Sequence, residues 1–75
     1  MQKTLGQIRI RVDFNPSSNP VEDEIKQKFA ELIDLLESLK GDGSQNISIE
    51  TARLVATSQT KIEEAAMWAV KAATA

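Results

Sequence analysis

Apolar residues in the last third of the chain recur with the period of an α-helix. The stripe is mostly alanine, which favours helix and lets helix backbones approach closely but buries little area per residue. It consists of Ala52, Val55, Gln59, Ile62, Ala66, Ala69 and Ala73. We therefore predict a helix over residues 48–74, and its thin apolar side indicates packing against other helices.

A second apolar stripe predicts a helix over residues 20–40. Its members recur at spacings of three and four residues, and they are Val21, Ile25, Phe29, Leu32, Leu36 and Leu39. A hairpin partner covers a stripe of about 100°, so the flanking Ile33 and Leu35 indicate a second neighbour.

The ends of this first helix carry the residues that helix ends prefer. Asn19 fits the N-cap and Pro20 the first helical position, while the acidic residues 22–24 suit the positive end of the helix dipole. Gly41 fits a left-handed position after the last turn. The loop over residues 41–47 is short, so an antiparallel two-helix hairpin follows.

Residues 7–14 alternate between apolar and polar positions, which is typical of a strand. The apolar set is Ile8, Ile10, Val12 and Phe14. No other segment alternates in this way, so the strand either pairs with a copy from another subunit or lies as an extended arm on a helix. Residues 1–19 are therefore predicted to form an arm and a turn.

The composition narrows both the architecture and the chemistry. The 75 residues include no cysteine and no histidine, and the formal net charge is −2. One domain of this size has a marginal core without disulfides, metals or partners. The fold class predicted for residues 1–75 is thus a single all-α hairpin domain with an N-terminal extended arm or strand, assembled into a homo-oligomer.

The same composition argues against several functional classes. We expect no cofactor, no metal site and no enzyme, because thiolate, imidazole and calcium-loop patterns are missing from the sequence. The acidic charge disfavours a dedicated binder of nucleic acid polymers. The chain also has no apolar run approaching the roughly 18 residues of a membrane span, so we expect a soluble, intracellular protein.

Two arginines in the alternating segment are candidate anion ligands. On a strand, Arg9 and Arg11 would lie on one face about 7 Å apart and could straddle a pair of phosphates. The alternative is that they only keep an exposed strand face soluble.

Five polar residues, 57–61, form a belt around the second long helix. At least one of them must face a partner helix, and buried hydroxyls or amides need hydrogen-bond partners. Arg53, Thr57 and either Lys61 or Thr60 share one side of this helix. The partners come either from a neighbouring subunit or from a ligand.

Phe14 and Trp68 are candidate aromatic contacts for a nucleobase. For Trp68 the alternative, an anchor between helices, is favoured.

The final stretch resembles a known family. Residues 60–74, TKIEEAAMWAVKAAT, are preceded by TARLVA. Together they are similar to the helical-hairpin ending of the phage anti-CBASS cyclic-nucleotide sponges and their anti-Thoeris relatives. The Glu-Ala-x-Met-Trp-Ala-Val-Lys run carries most of the resemblance. The chain lacks tyrosine, and its length and alternating segment depart from the longer relatives.

The resemblance implies a non-enzymatic protein that holds cyclic di- or trinucleotides intact between the subunits of a homohexamer, in the cytoplasm of an infected bacterium. It implies that Arg53, Thr57 and Thr60 serve a trinucleotide pocket near a symmetry axis. It also implies that Lys26 meets a phosphate and that Phe14 takes the aromatic role in a dinucleotide pocket. The competing hypothesis is a non-catalytic structural or interaction module that oligomerises through alanine-rich packing.

Overall fold

Three helices make up the part of the chain that the computed structural model describes, residues 2–16, 18–41 and 47–75. The short helix α1 spans Leu5–Ile10, α2 spans Pro20–Ser38 and α3 spans Ile49–Ala73. The ranges expected for the two long helices were 20–40 and 48–74. Helices α2 and α3 pack along each other, and α1 lies mainly on α2. The all-helical hairpin is confirmed.

Local hydrogen bonds fix where α2 and α3 begin. The Asn19 side chain accepts hydrogen bonds from the backbone N–H groups of Val21 and Glu22, and Pro20 occupies the first turn. Ser48 caps α3 by accepting from the N–H of Thr51. Gly41 has φ 74°, the left-handed conformation expected of it. Most of the expected loop, residues 42–46, lies outside the described residues.

The predicted N-terminal strand is wrong, because residues 5–10 form a helix and no strand occurs among the described residues. A capping box starts α1: the Thr4 hydroxyl accepts from Gln7 N at 3.1 Å, and Gln7 Oε1 accepts from Thr4 N at 2.9 Å. This reciprocal pairing satisfies two backbone donors at the helix start. The Thr-x-x-Gln spacing thus outweighs the alternation that begins at Gln7.

The end of α1 reverses the chain sharply. Arg11 adopts the left-handed conformation at φ 59°, its N–H donates to Ile8 O at 3.3 Å, and Val12 N donates to Gln7 O at 3.2 Å. This is the Schellman pattern, which usually places glycine where Arg11 stands. The turn buries Ile10 and Val12 but leaves Ile8 and Phe14 exposed.

A close approach of backbones holds α1 against α2. Gly6 packs on the backbone of Ala30, where a Cβ atom on Gly6 would overlap the Ala30 carbonyl. The Gly6 N–H also donates to Asp34 Oδ1 at 2.7 Å. The hydrophobic core lies beneath this contact, and it consists of Ile10, Val12, Ala30, Ile33 and Ala66, with Phe29 and Ile62 packed at its edge.

Helix α2 turns a different face inward from the one its apolar stripe predicts. Ile33, expected on the flank, is fully buried at 0% exposure, whereas Leu32 and Leu39 from the stripe are 42% and 56% exposed. The close contact with Gly6 turns the small Ala30 inward, and Ile33, one turn further along the same face, fills the core as its most deeply buried side chain. Val21, Leu32 and Leu39 of the predicted stripe are therefore exposed in the single chain, whereas its other members are half-buried.

Helix α3 keeps the face that its sequence predicts. Val55, Gln59 and Ala66 are buried, and the rest of the predicted stripe is half-buried. The buried Gln59 amide donates to Ile33 O at 3.2 Å and to Glu37 Oε1 at 3.0 Å, which lowers the pKa of Glu37, with a further contribution from Lys40. A polar residue of the belt thus faces the partner helix and finds its partner there.

Among the described residues, eleven large apolar side chains remain exposed, including Leu35 at 64% and both Met67 and Trp68 at 65%. No helix of the described residues is long and apolar enough to cross a membrane.

Replacing Gly6 by alanine should loosen α1. The added methyl overlaps the Ala30 carbonyl, and such overpacking typically costs about 1–3 kcal/mol. Urea denaturation should show that loss, and amide exchange should show faster exchange at residues 5–12. Gly41→Ala is the control, since it strains a left-handed glycine far from α1. Protected arm amides in Gly6→Ala would contradict the contact.

Candidate ligand-binding site

A cavity of about 450 Å³ opens where the N-terminal segment meets α3. We call it the arm cavity, and the arm is residues 2–16. Its volume falls within the ~300–1,000 Å³ common for small-molecule sites. Its lining combines basic side chains, one acid and apolar groups, and consists of Arg9, Ile10, Arg11, Phe14, Lys26, Glu63, Ala66, Met67 and Val70.

Lys26 forms the floor of the cavity and ties the arm to α2. Its ammonium donates to the backbone carbonyls of Arg11, at 3.2 Å, and Phe14. It also pairs with Glu22 Oε2 at 3.1 Å. These three acceptors match the three donors of a lysine ammonium. Lys26 lines the cavity, but its hydrogen bonds are already used by the protein.

The pair of Lys26 and Glu22 is almost completely buried, with side-chain exposures of 7% and 6%. Glu22 was expected only to complement the helix dipole, and it does lie in the first turn of α2. Its larger role is to neutralise a buried ammonium, since an unpaired charge in this position would be strongly destabilising.

Arg9 and Glu63 form a second ion pair, at the side of the cavity. Arg9 Nε and Nη2 both approach Glu63 Oε2, at 2.9 and 2.7 Å. This bond joins α1 to α3. The Arg9 side chain is 25% exposed and that of Glu63 is 40% exposed, so the pair is partly open to water.

Arg11 and Phe14 edge the cavity from the arm. Phe14 is 61% exposed, and Lys26 Nζ lies 5.5 Å from its ring centroid. The strand geometry expected for Arg9 and Arg11 is wrong, since a helix end separates them. Both nevertheless line the arm cavity. Arg11 and Phe14 also border a smaller cavity of about 250 Å³ on the other side of the arm.

The second group of predicted site residues lies on the outer face of α3. Arg53, Thr57 and Thr60 are all exposed, on the side away from the buried Val55 and Gln59. Arg53 is bonded to Glu50 through Nε to Oε1 at 3.0 Å and Nη2 to Oε2 at 2.7 Å. These bonds lower the pKa of Glu50 and raise that of Arg53. None of these residues lines the arm cavity.

The structure thus separates the seven predicted residues into two groups. Arg9, Arg11, Phe14 and Lys26 converge on the arm cavity, and Arg53, Thr57 and Thr60 share an open helix face. Sequence reasoning missed Glu63, Met67 and Val70 as lining residues. The capping box at Thr4 is the signal that could have indicated them, because only a helical arm brings Arg9 to α3.

The chemistry of the arm cavity is that of binding. It offers cations and an aromatic face for an anionic, aromatic ligand, and its one lining acid is paired with arginine. Among the described residues no group of acidic side chains is arranged to hold a metal ion.

The fold is a small helical-hairpin domain, and its cavity is lined by cationic side chains and edged by an aromatic ring. The sequence model of the Acb2/Tad1 hairpin domain matches residues 5–74, so the chain belongs to the Acb2/Tad1 hairpin family. This is the family of anti-CBASS and anti-Thoeris sponges, which bind cyclic nucleotides. Comparisons with curated proteins and with solved structures gave no match.

Replacing Lys26 by methionine should detach the arm from α2, because the hydrogen bonds to the Arg11 and Phe14 carbonyls are lost, and the arm cavity should no longer form. Glu22 would be left buried without a partner, which typically costs about 3–5 kcal/mol. Urea denaturation should show that loss. The control is the double variant Glu22→Leu, Lys26→Met, which removes both charges and should recover at least half of the stability. An unchanged midpoint in Lys26→Met would show that Lys26 does not hold the arm.

Proposed function

We propose that this chain is a phage anti-defence sponge that sequesters cyclic oligonucleotide second messengers without cleaving them. It acts in the cytoplasm of the infected bacterial host. The observation that carries the proposal is the arm cavity, in which three cationic side chains and an exposed aromatic ring converge. Membership of a family of cyclic-nucleotide sponges supplies the class of ligand.

The arm cavity suits a cyclic dinucleotide such as cGAMP. The exposed ring of Phe14 stacks on a base, which is worth about 1–3 kcal/mol for an aromatic side chain. Arg9 and Arg11 contact the two phosphates, since a guanidinium matches phosphate oxygens in pairs. Lys26 contributes its positive charge from the floor of the cavity. Because its three donors are occupied, it can bind a phosphate directly only if it breaks a hydrogen bond to one of the carbonyls.

The outer face of α3 suits a cyclic trinucleotide once several copies of the chain meet. One Arg53 with two threonines makes an open surface, but symmetry around an axis multiplies them into a ring of guanidinium and hydroxyl donors. The Arg53–Glu50 pair is exposed, with side-chain exposures of 59% and 63%, so exchanging Glu50 for a phosphate costs little.

A homohexamer is the proposed assembly. Val21, Leu32 and Leu39 of α2 are exposed, and so are Met67 and Trp68 of α3. A monomer of 75 residues rarely leaves this much apolar surface open to water. Subunit contacts would cover these residues and complete the pockets between chains.

Sequestration without cleavage fits the groups that are present. Hydrolysis of a phosphodiester needs a general base, an activated nucleophile or a metal-bound water. The chain has no histidine or cysteine, and Glu63 beside the cavity is bonded to Arg9. Such a site binds the ligand and leaves it unchanged.

A structural interaction module is the second candidate. The exposed apolar residues of α2 and the half-buried alanines of α3 would serve self-assembly alone just as well. The two candidates differ in whether the arm cavity takes a ligand.

Two arginine substitutions should separate the two proposed pockets. Arg11→Ala should weaken cGAMP at least ~10-fold, because removing a charge-assisted contact costs about 1.5–3 kcal/mol, and should leave cyclic trinucleotide binding intact. Arg53→Ala should weaken cyclic trinucleotide binding and leave cGAMP binding intact. Isothermal titration calorimetry measures both, and Lys28→Ala, an exposed cation of α2, is the charge-matched control.

Light scattering on the same samples should give the mass of a hexamer for all three variants. Dispersal of the oligomer by Arg53→Ala would make Arg53 a structural residue and remove the trinucleotide assignment. Wild-type protein that binds no cyclic di- or trinucleotide more tightly than about 10 μM would favour the structural module instead.

A further inference from the structure

Among the residues that the structure describes, Glu63 is the one acid in the lining of the arm cavity. Its Oε2 atom accepts from both Nε and Nη2 of Arg9, at 2.9 and 2.7 Å. These two nitrogens form the side edge of the guanidinium, which is one of the edges that a phosphate uses for paired hydrogen bonds. A carboxylate of the protein therefore stands where a ligand phosphate would bind.

The charges of the cavity are nearly balanced in the free protein. Glu22 neutralises Lys26, and Glu63 neutralises Arg9. Within the described part of the chain, Arg11 forms no ion pair with an acidic side chain. A ligand with two phosphates thus meets a site whose positive charge is largely cancelled, and it places its own charge near the Glu63 carboxylate.

The two acids differ in how readily they can give way. The Glu22–Lys26 pair is buried, with exposures of 7% and 6%, whereas the Arg9 and Glu63 side chains are 25% and 40% exposed. A partly solvated pair is weak and can exchange partners, while a buried pair cannot be broken without stranding a charge. Glu63 is therefore the acid that can release its arginine to a ligand and so affect the affinity of the cavity.

Glu63 also has a role when no ligand is present. Its bond to Arg9 joins α1 to α3, two helices that otherwise touch little. It also offsets the mutual repulsion of three cations gathered in one cavity. Removing its charge should consequently have opposite effects on the free protein and on the complex.

We propose that Glu63 sets the affinity of the arm cavity, acting as an internal competitor of the ligand phosphates for Arg9. The inference rests on the proposed function, because it concerns an anionic cyclic dinucleotide in that cavity. It makes Glu63 an affinity-determining residue that stabilises the free arm and weakens the bound state.

The test is calorimetry of wild type, Glu63→Gln and Glu64→Gln with cGAMP. Glutamine keeps an acceptor for Arg9 and removes the charge, so Glu63→Gln should bind about fivefold more tightly, which corresponds to about 1 kcal/mol. Glu64→Gln changes the total charge equally at an exposed residue outside the cavity, and its affinity should equal that of wild type. Thermal denaturation should show a lower midpoint for free Glu63→Gln.

A second substitution separates charge from hydrogen bonding. Glu63→Ala removes both, and a gain in affinity like that of Glu63→Gln supports the competition. Unchanged or weaker binding by Glu63→Gln would overturn the inference and make Glu63 a residue that positions Arg9. Equal gains in Glu63→Gln and Glu64→Gln would also overturn it. Failure of wild type and every variant to bind would instead remove the proposed function itself.

Discussion

The buried ammonium of Lys26 is the interaction on which the candidate site depends. It bonds to the carbonyls of Arg11 and Phe14 and to the Glu22 carboxylate, so a single side chain of α2 holds the arm at the point where it reverses. Arg11 in its left-handed conformation and the exposed Phe14 are placed by this anchor. Arg9 reaches Glu63 only because α1 is held on α2 as a helix. The arm cavity thus depends on this buried ion pair together with the Gly6–Ala30 contact that holds α1.

Local signals account for what the sequence predicts well. Asn19, Pro20 and Ser48 define helix starts through short-range hydrogen bonds, and the α3 face follows from the helical period alone. The arm was mispredicted because Ile8, Ile10 and Val12 satisfy a strand period, while the Thr4 capping box that decides the outcome lies just before them. The inward face of α2 was missed because Gly6 against Ala30 is a long-range fit. The same holds for the candidate site. Its cationic and aromatic residues could be predicted from the sequence, but the Arg9–Glu63 pair could not, because it depends on how α1 packs.

The large apolar side chains left exposed on the single chain are consistent with its proposed role as an oligomeric sponge. Apolar side chains such as Leu35, Met67 and Trp68 stay more than half exposed, and their burial in an assembly would stabilise the complex by about 25 cal/mol per Å² of apolar surface covered. In the proposed hexamer, copies of Arg53 would also lie close together and give an acidic chain local regions of positive potential. The small size of the chain is therefore compatible with the proposed sponge function.

Whether the bound ligand is recovered intact tests the proposed sequestration most directly. Excess protein is incubated with cGAMP at a stoichiometry that binds all of it, the complex is separated from free ligand, and the protein is denatured by heat. Mass spectrometry of the released nucleotide should return the intact cyclic dinucleotide in full yield. A linear dinucleotide or mononucleotides in place of the cyclic form, or no nucleotide carried with the protein, would contradict the account.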